Sequence, residues 1–340
     1  MSYKVVAFIR DLGWPIDKEG YKKLWAEYVE IPCKTEDEFV AATEYADAVL
    51  VPGEPMTRRI IERMKKCRII SVVGVGYDYV DIEAATEYGI CVSNVPDYCA
   101  EEMTDHAMAL LLACARRIVV AVEGVRAGEW DSLGKPRVFA KLPPIHRLQG
   151  QILGIVGLGR IGHKLAPKAK GFGMKVIAYD PYITKKVAQK LGVRLVEFSY
   201  LLERSDFISL HMTLNNETKH MFTLEQFKKM KPTAFFINVS RGGLCDEKAL
   251  YTALSQKHIA GAGIDVTDPV EPPSLDSPLL KLDNVLITPH VGYYSEESIA
   301  EVMKRSEEEV LRVLGGQWPK NFVNPQVKEN YLKRWKDGAK

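Results

Sequence analysis

The chain has six cysteines, Cys33, Cys67, Cys91, Cys99, Cys114 and Cys245, but no CxxC pair and no metal-ligand spacing. This excludes a disulfide framework and a zinc site as first readings, and leaves reduced core residues and no bound metal. Neither sign of charge dominates: 46 basic and 44 acidic residues leave +2. A surface for nucleic acid or membrane would need a clustered basic excess, so neither partner is expected. No apolar run approaches the roughly 20 residues that span a bilayer; the longest is Ala107 to Ala115. The N-terminal MSYKVVAFIRD meets Arg10 and Asp11 after a short apolar core, too short for a signal peptide and suited to a first strand. Internal repeats and low-complexity tracts are also missing, and the expected location is cytoplasmic.

What is present is an ordinary globular composition, 46% hydrophobic and 26% charged. With 340 residues, two domains are expected rather than one. The stretch QILGIVGLGRIGHKLAPKAKGFGMKVIAYDP, Gln151 to Pro181, reads as strand, glycine turn, helix and strand. Gly157 permits the turn, Gly159 lets backbone amides approach a pyrophosphate, and Gly162 lets the helix lie close to the sheet. Phosphates would sit on the helix N-terminus, where unpaired N–H groups and the dipole favour negative charge. Asp180 follows about 20 residues on, placed to accept from a ribose 2′-OH and to repel a 2′-phosphate, so the cofactor is NAD rather than NADP. Pro167 falls inside the expected helix and predicts a kink or a late start.

Before this stretch, Lys4 to Ile9, Ala46 to Val51, Arg68 to Val73 and Ile90 to Val92 read as strands, with helical segments such as Tyr21 to Glu27 and Thr57 to Lys65 between them. After it, strands recur at Asp206 to His211, Thr233 to Val239, Gly261 to Val266 and Val285 to Thr288. Such alternation predicts α/β architecture with parallel sheets. One long helix is expected from Cys99 to about Trp130, then a Pro-rich basic loop from Leu133 to Arg147. The segment from Ile299 onward reads as an amphipathic helix that crosses back to the first domain, closed by Gly315 and Gly316, its charge run a solvated face, and followed by an extended tail.

Ligands of open doubly wound sheets bind beyond the carboxyl ends of the strands. Three such ends carry reactive groups. Arg241, before two glycines, can grip a carboxylate with two hydrogen bonds and polarise a neighbouring carbonyl. His290 can exchange a proton near neutral pH. Asp265 and Glu271 lie between them in sequence, and a carboxylate beside His290 would favour the imidazolium and keep a proton ready. Singly, each has a plainer reading as an ion pair, a structural histidine or a solvated acid.

The segments GVGYDYVD (Gly74 to Asp81), GIVGLGRIG (Gly154 to Gly162), NVSRGGLCDEKAL (Asn238 to Leu250), GAGIDV (Gly261 to Val266) and TPHVG (Thr288 to Gly292) together resemble the D-isomer-specific 2-hydroxyacid dehydrogenases. The resemblance implies two doubly wound parallel-sheet domains. A flavodoxin-like substrate domain would comprise 1–99 plus 295–340, a Rossmann NAD-binding domain 100–294, with a cleft between them. It implies reversible hydride transfer between NADH and the 2-carbon of a 2-oxo acid, by a homodimer. Arg241, Glu271 and His290 would be catalytic, with Arg241 holding the substrate and His290 as acid/base. Gly157, Gly159, Arg160, Ile161, Gly162, Asp180, Met212, Val239, Ser240, Asp265, His290 and Gly292 would line the cofactor. Val75, Gly76 and Tyr77 would join Arg241 and Tyr293 around the substrate.

Two departures from the family pattern matter. The loop DVTDPVEPP is one residue longer than usual, which makes Asp268 a minor rival to Glu271, and the acid at Glu271 argues against formate as substrate. VGYYSEES after the histidine is similar to the C-terminal-binding protein branch, in which Tyr293 would cap the substrate side chain. That branch supplies an alternative, an NAD-sensing corepressor or binding module. A phosphite or 3-phosphoglycerate dehydrogenase is the other, with Lys135, Arg137 and Lys141 as candidate cations; the end of the chain at residue 340 counts only slightly against the phosphoglycerate version.

Overall fold

The computed structural model describes residues 2–8, 16–130 and 144–335. Its internal contacts divide the chain into two compact units, Met1–Tyr98 with Ser295–Lys340 and Cys99–Tyr294. The expected Lys135, Arg137 and Lys141 lie outside the described residues.

In the first unit, β1 (Tyr3–Ala7), β2 (Ala26–Glu30), β3 (Ala48–Val51), β4 (Ile69–Val72) and β5 (Cys91–Ser93) form one parallel sheet in the order β2-β1-β3-β4-β5. This is the flavodoxin-like order. Central β3 and β4 are buried throughout, as expected of strands covered on both faces. Val6, Val49, Val51, Ile70 and Val92 build the core with Ile60, Ile61, Ala84 and Ala85 from the flanking helices. Thr57 and Asp81 cap those helices by accepting from Ile60 and Ala84 N–H. The expected helix Tyr21 to Glu27 ends at Lys23 instead, because Trp25 turns left-handed (φ 54°) and Ala26 opens β2.

Helix Glu296–Leu314 is capped by Ser295 and packs on β3 and β4. Its charge run is not simply a solvated face. Glu307 and Glu309 are each only 2% exposed. Glu309 accepts from the Lys320 and Asn321 N–H groups, and Glu307 from Asp17 N–H. Nor is the segment that follows merely extended. Phe322 bridges Ser93 at the β5 edge, buried Asn324 exchanges hydrogen bonds with Val92 and Ile90, and a helix closes the chain at Lys328–Arg334.

The second unit holds β6 (Ile152–Val156), β7 (Lys175–Tyr179), β8 (Arg194–Leu195), β9 (Phe207–Leu210), β10 (Phe235–Asn238), β11 (Gly261–Ile264) and β12 (Val285–Ile287). They form a parallel sheet in the order β12-β11-β10-β9-β6-β7-β8. The order reverses between β6 and β9, and a ligand crevice belongs at that switch point. The fold is therefore two doubly wound α/β units, as read from the sequence.

Two helices depart from the reading. The single helix expected from Cys99 to Trp130 is broken into Ala100–Arg116 and Ile118–Arg126. Arg117 between them is left-handed (φ 53°), and its guanidinium lies 4.9 Å from the centre of the Phe235 ring. Tertiary stacking thus decides a break that helical periodicity does not show. The helix after the glycine turn starts at Arg160 without delay and continues through Pro167 to Gly171. Pro167 lies on the exposed face, and Leu165, Ala166 and Ala169 are buried. No helix among the described residues is long and apolar enough to cross a membrane.

Candidate functional site

The glycine turn lies at the switch point. Gly157 is left-handed (φ 97°), and a Cβ there would fall 2.6 Å from the carbonyl carbon of His211, which follows β9. Only glycine fits so close to the neighbouring backbone. A Cβ on Gly162 would fall 2.5 Å from the Gly157 carbonyl oxygen, which is how the helix approaches the turn. Gly159 differs: nothing lies within 4 Å of its would-be Cβ, and as N-cap it offers no side chain to the first helical N–H groups. An open surface over uncapped N–H groups fits a pyrophosphate. Arg160 is exposed and Ile161 half-buried beside it. Lys168 ties this helix to Thr104 and Asp105 of helix Ala100–Arg116 at 2.7 and 2.6 Å.

Asp180 follows β7 and is already held, Oδ2 accepting from Leu158 N–H at 2.8 Å and Oδ1 from Tyr182 N–H at 2.9 Å. Each oxygen keeps a second lone pair for a ribose hydroxyl. Val239 is buried, and Met212 and Ser240 are half-buried, near the ends of β9 and β10. Ser240 Oγ donates to the Leu210 carbonyl, which joins those two strand ends.

Beyond β10, β11 and β12 the candidate reactive groups converge. Glu271 Oε2 is 2.6 Å from His290 Nδ1, and Glu271 Oε1 accepts from Thr267 N–H at 2.9 Å. Burial alone would raise the Glu271 carboxyl, but hydrogen bonds from His290 and Thr267 and the charges of His290 and Arg241 hold it below the usual range. Arg241 begins the turn after β10, and its own carbonyl accepts from Asn238 Nδ2. His290 is left-handed (φ 52°), with its N–H donating to the Asp265 carbonyl at 2.9 Å. The Tyr293 ring stands edge-on to the imidazole, 6.2 Å between centres. Asp268 does not pair with His290; its Oδ2 lies 3.1 Å from His220 Nε2.

Asp265 is more deeply engaged than a ligand contact would require. Its side chain is 1% exposed. Oδ1 accepts from Thr288 Oγ1 at 2.5 Å and Val291 N–H at 3.0 Å, and Oδ2 from Gly292 N–H at 2.8 Å. His106 Nε2 lies 3.2 Å from Oδ1 and 2.9 Å from Thr288 Oγ1. Gly292 is small for this reason: a Cβ would lie 2.9 Å from Asp265 Oδ2. The segment carrying His290 is thus stapled to β11 by one carboxylate. Sequence reasoning missed His106, because nothing in its helical pattern marks it as a partner for residues more than 150 positions away.

In the first unit, Val75 (41% exposed) and Tyr77 (37% exposed) flank Gly76 in the loop after β4. Asn94 Nδ2 donates to the Val75 carbonyl at 2.7 Å, fixing the loop.

Residues 108–292 match the family model described as the NAD binding domain of D-isomer specific 2-hydroxyacid dehydrogenases. The chain is 42% identical over 305 residues to a D-3-phosphoglycerate dehydrogenase of Methanocaldococcus jannaschii, covering 88% of this chain and 56% of that protein. It thus spans little more than half the length of that relative. It is also 42% identical over 274 residues to a glyoxylate reductase of Korarchaeum cryptofilum, covering 81% of each. Among solved structures, a glyoxylate reductase from Paecilomyes thermophila superposes with a TM-score of 0.84 at 27% identity, covering 96% of this chain and 99% of that one. With an open glycine turn at the switch point of its second unit, a family model matching more than half its length and relatives of this similarity, the chain belongs to the NAD-binding D-isomer-specific 2-hydroxyacid dehydrogenase family.

Proposed function

We propose that the protein is an NAD-dependent D-2-hydroxyacid dehydrogenase that interconverts small 2-oxo acids and D-2-hydroxy acids. The observation that carries this reading is the His290–Glu271 pair at 2.6 Å, beside Arg241 on the sheet edge that bears the nucleotide turn. Bound NADH supplies the hydride to the 2-carbon. Arg241 grips the substrate carboxylate and polarises the 2-oxo group. Glu271 accepts Nδ1–H, which leaves Nε2 of His290 to give its proton to the forming alkoxide. Gly157, Gly159, Arg160, Ile161 and Gly162 hold the pyrophosphate, and Asp180 the ribose. Met212, Val239, Ser240, Asp265 and Gly292 support the nicotinamide side. The loop Val75–Tyr77 offers backbone N–H groups to the carboxylate, and Tyr293 caps the substrate side chain.

A second reading, oxidation of 3-phosphoglycerate, is favoured by the name of the Methanocaldococcus relative. We take the enzyme to be a cytoplasmic homodimer. Ile118, Val119, Val122 and Val125 form an apolar stripe, 39% to 50% exposed, on one helix of the second unit, which suits a second copy.

The test is NADH consumption with glyoxylate, hydroxypyruvate, pyruvate, phenylpyruvate and 3-phosphohydroxypyruvate, run beside Arg241→Ala and His290→Ala. Turnover lost in both variants supports the assignment, and the ranking of acids separates the two readings. NADH binding without turnover of any acid contradicts both and favours a binding protein.

A further inference from the structure

The loop that carries Glu271 has little to hold it by burial. Val270 is 58% exposed and Leu275 91% exposed, and Glu271 itself lies at the surface. Thr267 closes the loop on itself, its N–H donating to Glu271 Oε1 at 2.9 Å and its hydroxyl to the Val270 carbonyl at 2.8 Å. That closure can aim Glu271 only if Thr267 and Asp268 are themselves fixed. They are fixed from behind by hydrogen bonds to Glu247 and His220. Asp268 N–H donates to Glu247 Oε2 at 3.0 Å, where Glu247 opens the helix Glu247–Ser255. Asp268 Oδ2 meets His220 Nε2 at 3.1 Å, and His220 is held in turn by its N–H donating to the Gly243 carbonyl at 2.8 Å. The Thr267 carbonyl oxygen rests against Gly242, where a Cβ would fall 1.9 Å away. The space among Asn238, Gly242, Glu247, Thr267 and Asp268 is about 10 Å³, room for at most one water, so these acids do not line a second ligand site.

We propose that Asp268, clamped between His220 and Glu247, is the positioning residue that keeps the Glu271 carboxylate on His290. The inference rests on the dehydrogenase reading for its catalytic consequence. The mechanism is geometric. Thr267 N–H and His290 Nδ1 hold the two oxygens of one carboxylate, so a shift of the Thr267 backbone rotates Glu271 away from the imidazole. The charged and titratable groups around the pair are Arg241, Tyr293 and Asp265 on the site side, and Asp268, Glu247 and His220 behind the loop.

The experiment follows the hydrogen-bonded Nδ1–H signal of His290 by NMR at one fixed pH in the full-length protein, the signal assigned with His290→Ala. Wild type, Glu271→Gln, Asp268→Ala, Glu247→Ala and Glu247→Gln are compared, together with kcat and KM on the best 2-oxo acid. Glu271→Gln is expected to move that signal upfield, as the charged acceptor at 2.6 Å is lost, and Asp268→Ala to reproduce at least half of that displacement. Asp268→Ala should also lower kcat about 10-fold while the KM for NADH stays within about 2-fold of wild type, the range left by losing no cofactor contact. Glu247→Ala should follow Asp268→Ala, whereas Glu247→Gln, whose amide oxygen still accepts Asp268 N–H, should restore the wild-type signal position. Should Asp268→Ala fail to fold, the two Glu247 variants carry the test. The inference is overturned if Glu271→Gln moves His290 and neither alanine variant does. It is also overturned if Glu271→Gln leaves His290 unmoved, since there is then no pairing to position. If wild type reduces none of the acids, the functional reading fails, and the NMR comparison still decides the positioning role.

Discussion

Glu271 binds His290 Nδ1 with one oxygen, at 2.6 Å, and Thr267 N–H with the other, at 2.9 Å. The carboxylate is thus fixed at both oxygens, and the imidazole presents Nε2 as its exchanging atom. Reduction of a 2-oxo acid draws on the proton this imidazole carries. Glu271→Gln is expected to reduce kcat by about 10- to 100-fold. A kcat within about 2-fold of wild type would show that the pair is not coupled in turnover.

Asp265 carries a different consequence, for stability. Burial pushes its carboxyl up, but hydrogen bonds from His106, Thr288 and the Val291 and Gly292 N–H groups outweigh burial and hold it below the usual range. A carboxyl depressed in the folded state adds stability above its unfolded value and loses it as pH falls. Asp265→Ala strands several buried donors, each worth about 1–3 kcal/mol. Calorimetry should show a large fall in Tm at pH 7 and a narrower gap to wild type below about pH 4.

Glu307 works with the opposite sign. Burial raises its carboxyl to about 7, assisted by the charge of Asp17 and opposed by the hydrogen bond from Asp17 N–H. The folded state therefore holds a proton that the unfolded chain releases near pH 4.5, and stability declines between about pH 4.5 and 7. Glu307→Gln should remove that decline, on the order of 2–3 kcal/mol. Denaturation of both proteins at pH 5 and pH 8 measures it; an equal slope in both would place the titration elsewhere.

Asp180 predicts cofactor choice. On the proposed reading its carboxylate meets the ribose and would repel a 2′-phosphate; its oxygens are held by Leu158 and Tyr182 N–H. Asp180→Ala should narrow the preference for NADH over NADPH by about 10- to 100-fold, the scale of one removed charge interaction in the site. A wild type that uses both cofactors equally would contradict the role.

The glycine turn, the alternating strands and the strand-end positions of Arg241 and His290 are legible because each rests on local pattern: residue type, spacing and strand position; the choice of Glu271 over Asp265 rests on the family resemblance. What escaped was set by contacts between distant segments. The break at Arg117 comes from stacking on Phe235, and the burial of Glu307 and Glu309 from their acceptance of N–H groups at Asp17, Lys320 and Asn321. His106, His220 and Glu247 meet their partners only after the second sheet assembles, so no window of sequence joins them to Asp265 or Asp268. Pro167 delays nothing at the helix start, since it falls eight residues into Arg160–Gly171.

The central claim is hydride delivery to the 2-carbon with His290 as the proton donor. The most direct measurement is reduction of a 2-oxo acid with a chiral product, such as hydroxypyruvate or pyruvate, by NADH carrying deuterium at both C4 positions, followed by mass and chiral analysis of the product, for wild type and His290→Ala. The account predicts a D-2-hydroxy acid carrying deuterium at carbon 2 from wild type, with its formation slowed at least about 100-fold in His290→Ala. An L-product, deuterium absent from carbon 2, or a His290→Ala rate close to wild type would contradict it.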